Sequence, residues 1–359
     1  MKKIGMLTSG GDCQGLNAAL RGVGKTLYNH YGQEVQIYGI RDGYRGLIEG
    51  NYHLMSPQDF SGILTRGGTI LGTSREPFKK IRMADENSVD KVASMKLNYN
   101  KLQLDCLVVL GGNGTHKTAN LLRTEGLNIV SLPKTIDNDI WGTDVTFGFS
   151  SAVGIATQVV DAIHTTATSH QRIFIIEIMG HKVGWMTLYA GIGGGADIIL
   201  IPEIPYDIDI IASVLEKRNT EGKMFSIIAA AEGAISKQEA AMPKKQLKSA
   251  RAEMKHPSVA YLIADQLSQR INQEIRACVP GHFQRGGSPD AADKILTTRL
   301  GTAAAELIIK EQYGYMVGVR NNKMVPVALQ EVAGRLKDVP PDSDIVREAK
   351  LFGISFGDE

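Results

Sequence analysis

Cysteine is scarce in this sequence of 359 residues, which contains only Cys13, Cys106 and Cys278. The count is odd, and no two of the three have the C-x-x-C spacing that redox motifs and many zinc sites use. Neither a disulfide framework nor a cysteine-based metal site is therefore expected. Unpaired cysteines are typical of a reducing compartment, so the sequence predicts a cytoplasmic protein.

Long apolar runs and an excess of one charge are absent too. No run approaches the roughly 18 apolar residues of a membrane span, and the apolar residues 4–7 are too few for a signal peptide. Lys and Arg number 40 against 38 Asp and Glu, a formal net charge of +2. Such a balance provides no general attraction to nucleic acid or to an acidic membrane. Any site for an anion must therefore be local.

Glycine is abundant, with 39 residues, and many of these glycines follow short apolar runs that read as buried parallel strands. The predicted strands cover residues 3–7, 35–40, 106–110, 127–132, 172–178, 196–201, 224–231 and 274–279. Helices are predicted around 89–97 and over 148–164, 206–217, 257–269 and 290–310, and a loop region over 43–50. This alternation predicts an α/β fold with mainly parallel sheets. The length predicts two lobes around a cleft.

Three glycine-rich turns are candidate phosphate sites: residues 8–12, 66–75 and 111–115. A turn from strand to helix directs backbone N–H groups and a helix N-terminus at phosphate. None of the three is a G-x-G-x-x-G or a Walker A loop, and each alone is also compatible with an ordinary surface turn. Their recurrence at strand ends favours a shared site, because ligands of open α/β sheets bind at that edge.

The segment 133–139 contains Lys134, Thr135, Asp137 and Asp139 directly after a predicted strand. If the segment is extended, the spacing of two places both carboxylates on one side. One carboxylate can then take a proton while the other helps to hold a metal ion. The lysine adds a cation for an anionic group in transfer. An isolated D-x-D pair also occurs in polar surface turns, so the assignment depends on the neighbouring turns.

The basic segment 236–256 carries six Lys or Arg residues and few apolar ones. It is predicted to be an exposed helix or excursion with a solvated charged face. Nothing in its composition indicates a specific role.

Several motifs, taken together and in this order, make the chain resemble the bacterial ATP- or pyrophosphate-dependent phosphofructokinases. They are TSGGDxxGxNAAxRG at 8–22, GGTxLG at 67–72, PKTIDND at 133–139, TSHQR at 168–172, MGH at 179–181, Glu232 and PGHFQRGGSP at 280–289. The resemblance extends from residue 5 to about 307. It implies phosphoryl transfer to the 1-hydroxyl of fructose 6-phosphate with Mg²⁺.

The resemblance also implies a two-lobed, three-layer α/β/α fold with the active site in the cleft. The larger lobe, residues 1–146 and about 270–320, is expected to bind the phosphoryl donor. Residues 147–269 and the C-terminal remainder are expected to form the smaller lobe, which binds fructose 6-phosphate. The family also implies a homo-oligomer, a dimer or more typically a homotetramer.

Individual roles follow from the resemblance by position. Asp137 would be the base, Thr135 would contact the transferring phosphoryl group, and Asp139 would support the metal or the nucleophile, with Lys134 beside them. The donor would be held by Gly11, Arg75, Gly112, Asn113, Gly114 and Thr115. The sugar pocket would be formed by Met179, Gly180, His181 and Glu232. The 6-phosphate would be held by His282 and Arg285. Two arginines, Arg172 and Arg276, would reach a neighbouring subunit's site.

Asn113 departs from the family pattern, which has a Mg²⁺-binding aspartate at this place. An amide supplies a carbonyl oxygen without charge, so Asn113 is expected to bind the metal more weakly unless Asp137 or Asp139 compensates. We therefore expect an active enzyme that needs more Mg²⁺.

The identity of the donor depends on Gly114 and Lys134. Gly114 leaves room for the α-phosphate of ATP, where pyrophosphate-specific members carry an aspartate. Lys134 stands where strictly ATP-dependent members usually have glycine, and a lysine there is typical of pyrophosphate users. The combination resembles the mixed-substrate group of the family. The steric argument favours ATP, with pyrophosphate as the alternative.

Effector control is not expected. Arg21 and Lys25 match part of the basic pocket of regulated members, but Asn51, His164 and residues 224–225 stand where further basic residues are usual.

Two other functions each match part of the sequence. A non-catalytic sensor of sugar phosphate or nucleotide is favoured only by Asn113, and it would not need the base or the arginines. A lipid or NAD kinase with a similar glycine turn does not explain PGHFQRGG.

Overall fold

The structure is a computed structural model that describes residues 1–83, 90–253 and 258–359. Its strands are β1 (Lys2–Ser9), β2 (Val35–Ile40), β3 (Tyr52–Met55), β4 (Cys106–Gly111), β5 (Ile129–Pro133), β6 (Ile173–Ile178), β7 (Ile198–Leu200), β8 (Ser226–Ala231), β9 (Ile275–Cys278), β10 (Tyr315–Arg320) and β11 (Lys323–Ala328).

The α-helices of the described ranges alternate with these strands over most of the chain. They are α1 (Leu16–Tyr31), α2 (Tyr44–Glu49), α3 (Lys91–Leu102), α4 (Asn113–Thr124), α5 (Phe149–His170), α6 (Trp185–Gly193), α7 (Ile208–Thr220), α8 (Lys237–Ala240), α9 (Lys244–Ala252), α10 (Val259–Leu267), α11 (Ala291–Ile309), α12 (Leu329–Val332) and α13 (Asp344–Phe352). None of these described helices combines the length and the apolar character needed to cross a membrane.

The chain forms two compact units. The first contains Met1–Ser151 and Arg285–Lys337, and the second contains Ala152–Gln284 and Asp338–Glu359. An α/β architecture with mainly parallel sheets, as the sequence predicts, is confirmed in both.

The first unit contains a sheet of seven strands in the order β11-β10-β5-β4-β1-β2-β3. The pairs from β10 to β2 are parallel, and only the two edge pairs, β10–β11 and β2–β3, are antiparallel. The central strand β4 is buried along its whole length, as expected for a parallel strand covered on both faces. Leu107 and Val109 of β4 pack with Leu122 of α4 in the core.

The register of the central strands sets the position of the glycine turns. Ser9 of β1 is paired with Gly111 of β4, and Gly111 is paired with Pro133 of β5. The segments that follow these residues therefore start side by side, at one edge of the sheet. The expectation that polar turns meet at the carboxyl ends of parallel strands is confirmed here.

The second unit contains a parallel sheet of four strands in the order β7-β8-β6-β9. Ile173, Ile175 and Ile228 belong to its buried core. Ile178 is in register with Ala231, so the segments after β6 and β8 also start at a common edge.

Residues 43–50 were predicted as a loop region, and this prediction is wrong because they form helix α2. Tyr44 and Leu47 are 1 % exposed and anchor the helix to the core. Two of the glycines that suggested a loop are its ends: Gly43 has φ 64° at the N-cap and Gly50 has φ 73° at the C-cap. Glycine adopts these positive φ values without the steric cost that a side chain incurs.

The lobe boundaries differ from the prediction at three places. Residues 147–151 lie in the first unit. Residues 270–284 lie in the second unit, because β9 pairs with β6. Residues 321–337 lie in the first unit, because β11 pairs with β10, which pairs with β5. The apolar pattern of a single strand does not encode the sheet it joins.

The basic segment is an exposed helical excursion over its described part, as predicted. Helix α9 buries none of its residues. Arg251 fastens the segment, since its guanidinium donates to the Glu239 carboxylate at 2.9 Å and to the Ala234 carbonyl at 2.6 Å. Parts of three predictions lie outside the described residues. They are position 89 of the helix predicted around 89–97, positions 254–256 of the basic segment, and position 257 of the helix predicted over 257–269.

Asp293 of α11 is a fully buried carboxylate at the N-terminus of α5. It accepts hydrogen bonds from the Gly148 N–H at 2.9 Å, the Ser151 N–H at 2.9 Å and the Ser151 hydroxyl at 2.6 Å. A carboxylate is favourable there because it meets the free N–H groups and the positive end of the helix dipole.

Replacing Asp293 with alanine is expected to lower the free energy of unfolding by about 2–4 kcal/mol, because three buried donors lose their acceptor. Urea denaturation measures this change. Glu306→Ala is a matched control on the same helix, since the Glu306 side chain is 57 % exposed, and it is expected to change the free energy by less than about 0.5 kcal/mol. Equal effects of the two variants would contradict the capping role of Asp293.

Candidate active site

The turn after β1 is surrounded by cations. A Cβ atom built on Gly11 would lie 3.1 Å from Arg285 Nη1 and 3.4 Å from Arg75 Nη2, so both guanidinium groups lie against this glycine. The Lys134 ammonium donates to the Gly11 carbonyl. Gly10 has φ 88°, in the region that glycine adopts without strain. Three positive charges around a backbone turn form a site suited to phosphate.

Lys134 is 4 % exposed, and burial lowers the pKa of its ammonium below the ordinary value. The side chain extends from the end of β5 to the turn after β1, and so joins two of the adjacent segments. Because its head group is held by the Gly11 carbonyl, the cation has a fixed place beside the turn.

The turn after β4 leads directly into α4, whose first residue is Asn113. A Cβ atom on Gly114 would meet no atom within 4 Å, so the space around this residue is open. Thr115 is 7 % exposed, and its hydroxyl lies 3.5 Å from the Ser9 carbonyl of β1. The Asn113 amide nitrogen donates to the Arg335 carbonyl at 2.5 Å, a contact that the sequence did not suggest.

His116 is a buried residue of this turn that sequence reasoning missed. Its Nδ1 lies 2.9 Å from the Gly112 carbonyl, and burial lowers the pKa of the ring to about 4. The neutral ring therefore donates to the carbonyl and fixes the first turn of α4. A lone histidine within a helix gives no sequence signal for such a contact.

Asp137 has one carboxylate oxygen held in place and one available. Its Oδ2 accepts a hydrogen bond from the Thr135 hydroxyl at 3.1 Å, and its own N–H donates to the same hydroxyl oxygen at 3.2 Å. No donor among residues 1–83, 90–253 and 258–359 reaches the buried Oδ1 atom. This arrangement suits a general base, because an oriented carboxylate presents a free lone pair.

The backbone from Lys134 to Asp139 is not extended, which corrects the reason given for placing both carboxylates on one side. Asn138 has φ 54° and reverses the chain between the two aspartates. This left-handed conformation is uncommon for a residue with a side chain. The Asn138 Oδ1 accepts from the Thr146 N–H at 3.0 Å, so the turn is held from outside the strand.

Asp139 is 7 % exposed, and its carboxyl has a pKa raised to about 7. The main cause is loss of hydration on burial, followed by the charge of Asp137. The two carboxylates therefore interact, although the chain between them turns. Near neutral pH Asp139 therefore holds a proton for part of the time.

Asp139 should make the metal-free protein less stable as the pH rises. A folded-state pKa above the unfolded one means that protonation favours the native state, so this stabilisation is complete below pH 4 and is lost as the pH rises through about 7. Asp139→Asn removes this dependence. The difference in free energy of unfolding between variant and wild type, measured in EDTA, is expected to shift in the variant's favour by about 2–3 kcal/mol between pH 5 and pH 8. If this difference in free energy of unfolding did not change with pH, the raised pKa of the Asp139 carboxyl would be contradicted.

In the second unit, Glu232 organises the turn after β6. Its Oε1 accepts from the Gly180 N–H at 3.2 Å and from the His181 N–H at 2.6 Å. The Met179 N–H donates to the Gln284 side chain at 3.2 Å. The four residues predicted to shape a sugar pocket are thus brought together, with His181 in a left-handed conformation at φ 53°.

Arg172 and Arg276 meet on one carboxylate. Glu274 accepts from Arg172 Nε at 2.6 Å and forms an ion pair with Arg276. The hydrogen bond from Arg172 is the main reason that the pKa of Glu274 lies below its usual range. Glu274 was not identified from the sequence, because a lone glutamate between a polar residue and a strand carries no motif.

His282 and Arg285 fall in different units, which the sequence does not reveal. His282 lies in the 3-10 helix Gly281–Arg285 within the second unit. Arg285 opens the returning segment of the first unit, and its Nη1 donates to the Asp12 carbonyl at 3.0 Å. Its role at the 6-phosphate therefore stays a prediction, beside its observed contact with the turn after β1.

The residues of the first unit fit Mg²⁺ in the manner of an ion shared with phosphates. No group of three or more His, Cys, Asp or Glu residues in the described ranges is arranged to hold a metal alone. Mg²⁺ in phosphoryl-transfer sites usually has one or two carboxylate ligands, with water and substrate phosphates completing the shell. The buried carboxyl of Asp139 matches that requirement, which leaves the free Oδ1 of Asp137 for a proton.

Comparison with known proteins agrees with this architecture. The family model described as phosphofructokinase matches residues 3–308. The chain is 55 % identical to the ATP-dependent 6-phosphofructokinase of Spirochaeta thermophila, over 99 % of this chain and 98 % of that protein. It is 47 % identical to ATP-dependent 6-phosphofructokinase 3 of Bacteroides thetaiotaomicron, over 99 % of this chain and 100 % of that protein.

Among solved structures, phosphofructokinase from Saccharomyces cerevisiae is similar, with a TM-score of 0.79 and 32 % identity over 92 % of this chain. The present chain spans 45 % of the yeast chain. The family model covers most of the sequence, and both relatives match over nearly their whole length. The chain belongs to the phosphofructokinase family.

Proposed function

We propose that this protein is a 6-phosphofructokinase that transfers a phosphoryl group from ATP to the 1-hydroxyl of fructose 6-phosphate. The product would be fructose 1,6-bisphosphate, in glycolysis, and the three free cysteines are consistent with a cytoplasmic site of action. The observation that carries the proposal is Asp137, with Oδ2 held by Thr135 and Oδ1 available, beside a turn surrounded by cations. The names of the two relatives support ATP as donor.

In the proposed reaction, Asp137 Oδ1 accepts the proton of the sugar 1-hydroxyl. Thr135 keeps the carboxylate oriented by donating to Oδ2. Transfer of a phosphoryl group depends mostly on positioning and charge neutralisation, so a carboxylate is a sufficient base.

The donor phosphates would bind at the turns after β1 and β4. Arg75 and Lys134 would neutralise charge at Gly11, and the N-terminus of α4 adds N–H donors. The open space at Gly114 would accommodate the rest of ATP.

Mg²⁺, when bound, supplies positive charge to the donor phosphates and the group in transfer. Asp139 and the amide oxygen of Asn113 would hold it, so that Asp137 Oδ1 stays free to accept the proton. In the structure the Asn113 nitrogen is engaged by the Arg335 carbonyl, which leaves the oxygen of the same amide for this purpose.

Asn113→Asp is expected to lower the Mg²⁺ concentration at half-maximal rate by about tenfold, because a carboxylate replaces a neutral ligand. The measurement is the initial rate against free Mg²⁺ at saturating substrates. Asn113→Ala is the matched control, since it loses the same bond to Arg335 without adding charge, and its Mg²⁺ requirement should not fall. An unchanged requirement in Asn113→Asp would count against a metal role for this position.

Fructose 6-phosphate would be bound by Thr135, Asp137, Met179, Gly180, His181 and Glu232. Glu232 fixes the backbone of Gly180 and His181, and this fixed turn would contact the sugar. His282 and Arg285 would hold the 6-phosphate.

We further propose a homo-oligomer, a dimer or tetramer, in which Arg172 and Arg276 reach the site of a neighbouring subunit. Arginine suits this role because its planar guanidinium grips phosphate with two hydrogen bonds. Their shared contact with the Glu274 carboxylate would keep both side chains in position within each subunit.

The test is the initial rate of fructose 1,6-bisphosphate formation with Mg²⁺, comparing ATP and pyrophosphate as donors. Turnover with ATP is the expected result. Turnover with pyrophosphate alone would mean that Lys134 determines the donor, and it would overturn the proposal that the donor is ATP. Activity with neither donor would favour a sensor of sugar phosphate or nucleotide.

A further inference from the structure

Residues Arg335, Leu336 and Lys337 lie beyond the end of the family match at residue 308, yet they contact two of the turns described above. The Arg335 carbonyl accepts from the Asn113 amide at 2.5 Å. The Lys337 N–H donates to the Asp139 carbonyl at 3.0 Å, and Leu336 forms an antiparallel bridge with Ile140. All these residues belong to the first unit.

The Lys337 side chain makes three hydrogen bonds to the chain that follows the catalytic aspartate. Its ammonium donates to the Asn138 Oδ1 at 2.8 Å, the Thr143 carbonyl at 3.0 Å and the Asp144 carbonyl at 2.8 Å. Three donors of one ammonium thus meet three acceptors. A lysine used so fully inside a fold is engaged in structure rather than in solvation.

Asn138 is the residue whose conformation most needs support. It stands between Asp137 and Asp139 with φ 54°, which costs on the order of 1–2 kcal/mol for a residue with a side chain. Such a conformation persists when the surroundings fix it from several sides. Here the same Oδ1 atom accepts from both Thr146 and Lys337.

The Arg335 guanidinium gives the segment a further anchor. Its Cζ lies 3.9 Å from the centre of the Trp141 ring, within the range of a cation–π contact. Together with the Leu336–Ile140 bridge, this contact fixes the segment from which the Lys337 side chain extends.

We propose that Lys337 is a positioning residue that keeps the turn containing Asp137 and Asp139 in its reactive geometry. It acts through Asn138 and touches no reacting atom. The inference rests on the proposed function, since it assigns a purpose to geometry at the proposed base. Displacement of a catalytic group by about 1 Å can cost a factor of about 100 in rate.

The test compares Lys337→Met and Lys337→Arg in steady-state kinetics with ATP and fructose 6-phosphate. Methionine removes the donors while retaining an unbranched side chain, and kcat is expected to fall about 10- to 100-fold, with both KM values within about threefold of wild type. Arginine retains donors for the same acceptors, so kcat should recover to within about fivefold of wild type. Lys310→Met is a matched control, because the Lys310 side chain is 61 % exposed at the C-cap of α11, and its kinetics should not change.

Each result has one meaning. Loss of thermal stability in Lys337→Met with an unchanged kcat below the unfolding temperature would overturn the proposal, and so would a raised KM with kcat retained. If Lys337→Met does not fold, Lys337→Gln, which keeps one amide donor, is measured in its place by the same criteria. If the wild-type protein shows no turnover, the proposed function is refuted. If the wild type is active and Lys337→Met is equally active, only the positioning role of Lys337 is refuted.

Discussion

Asp137→Asn is expected to lower kcat by two to four orders of magnitude, the usual contribution of a general base. The amide retains the size of the side chain and its oxygen can still accept from the Thr135 hydroxyl, which contacts Oδ2 at 3.1 Å. What is lost is the basic lone pair at the position of Oδ1, the buried atom that no donor in the described ranges reaches. Steady-state kinetics with ATP and fructose 6-phosphate measures the loss.

Binding should survive this substitution, which separates an enzyme from a sensor. The KM of fructose 6-phosphate, and its dissociation constant by calorimetry, are expected to stay within about threefold of wild type. Asp105→Asn is the matched control. Asp105 lies next to the amino end of β4 and accepts a hydrogen bond from the Lys3 N–H at 2.7 Å. Its substitution by asparagine should not change kcat. If the Asp137→Asn enzyme kept full turnover, the proposal that Asp137 is the general base would be wrong.

Much of the fold follows from local pattern. A continuous apolar run such as residues 106–110 has to be a buried strand, and the glycine turn after it has to lie at a carboxyl edge. Once β1, β4 and β5 are parallel neighbours, their turns must meet, and the register of Ser9, Gly111 and Pro133 shows that they do. The positions of the three glycine-rich turns were therefore predictable.

Long-range pairing was not predictable in the same way. The apolar pattern of residues 274–279 predicts a strand but not its partner, so β9 was assigned to the wrong unit. The same holds for Glu274, which becomes informative only when Arg172 and Arg276 are seen to share it. Contacts between residues far apart in sequence depend on the sheet order, which a pattern of single segments does not contain.

The geometry of the turn that contains Asp137 and Asp139 was misjudged for a related reason. A D-x-D spacing predicts carboxylates on one side only if the backbone is extended. Asn138 adopts a left-handed conformation, and its side chain accepts hydrogen bonds from Thr146 and from Lys337. Lys337 is 199 residues away. No local preference of the sequence indicates that support.

Gly114→Asp is expected to reduce kcat/KM for ATP by at least about 100-fold, a change of about 2.7 kcal/mol. The new carboxylate would occupy the open space at the first turn of α4, where we propose that the α-phosphate of ATP lies. Like charges in a closed contact cost several kcal/mol. Pyrophosphate has no α-phosphate or nucleoside to place there, so the ratio of pyrophosphate to ATP activity should rise.

The substitution should leave the fold intact, which makes its kinetic effect interpretable. A Cβ atom at Gly114 meets nothing within 4 Å, and an acidic residue in the first turn of a helix is favourable toward the helix dipole. Gly114→Ala is the matched control, since it adds the Cβ without charge and should keep kcat/KM for ATP within about threefold, because the space is open. If Gly114→Asp used ATP as well as wild type does, the open space beside Gly114 would not be where the nucleotide binds. Lys134, held on the Gly11 carbonyl, would then be the remaining determinant of the donor.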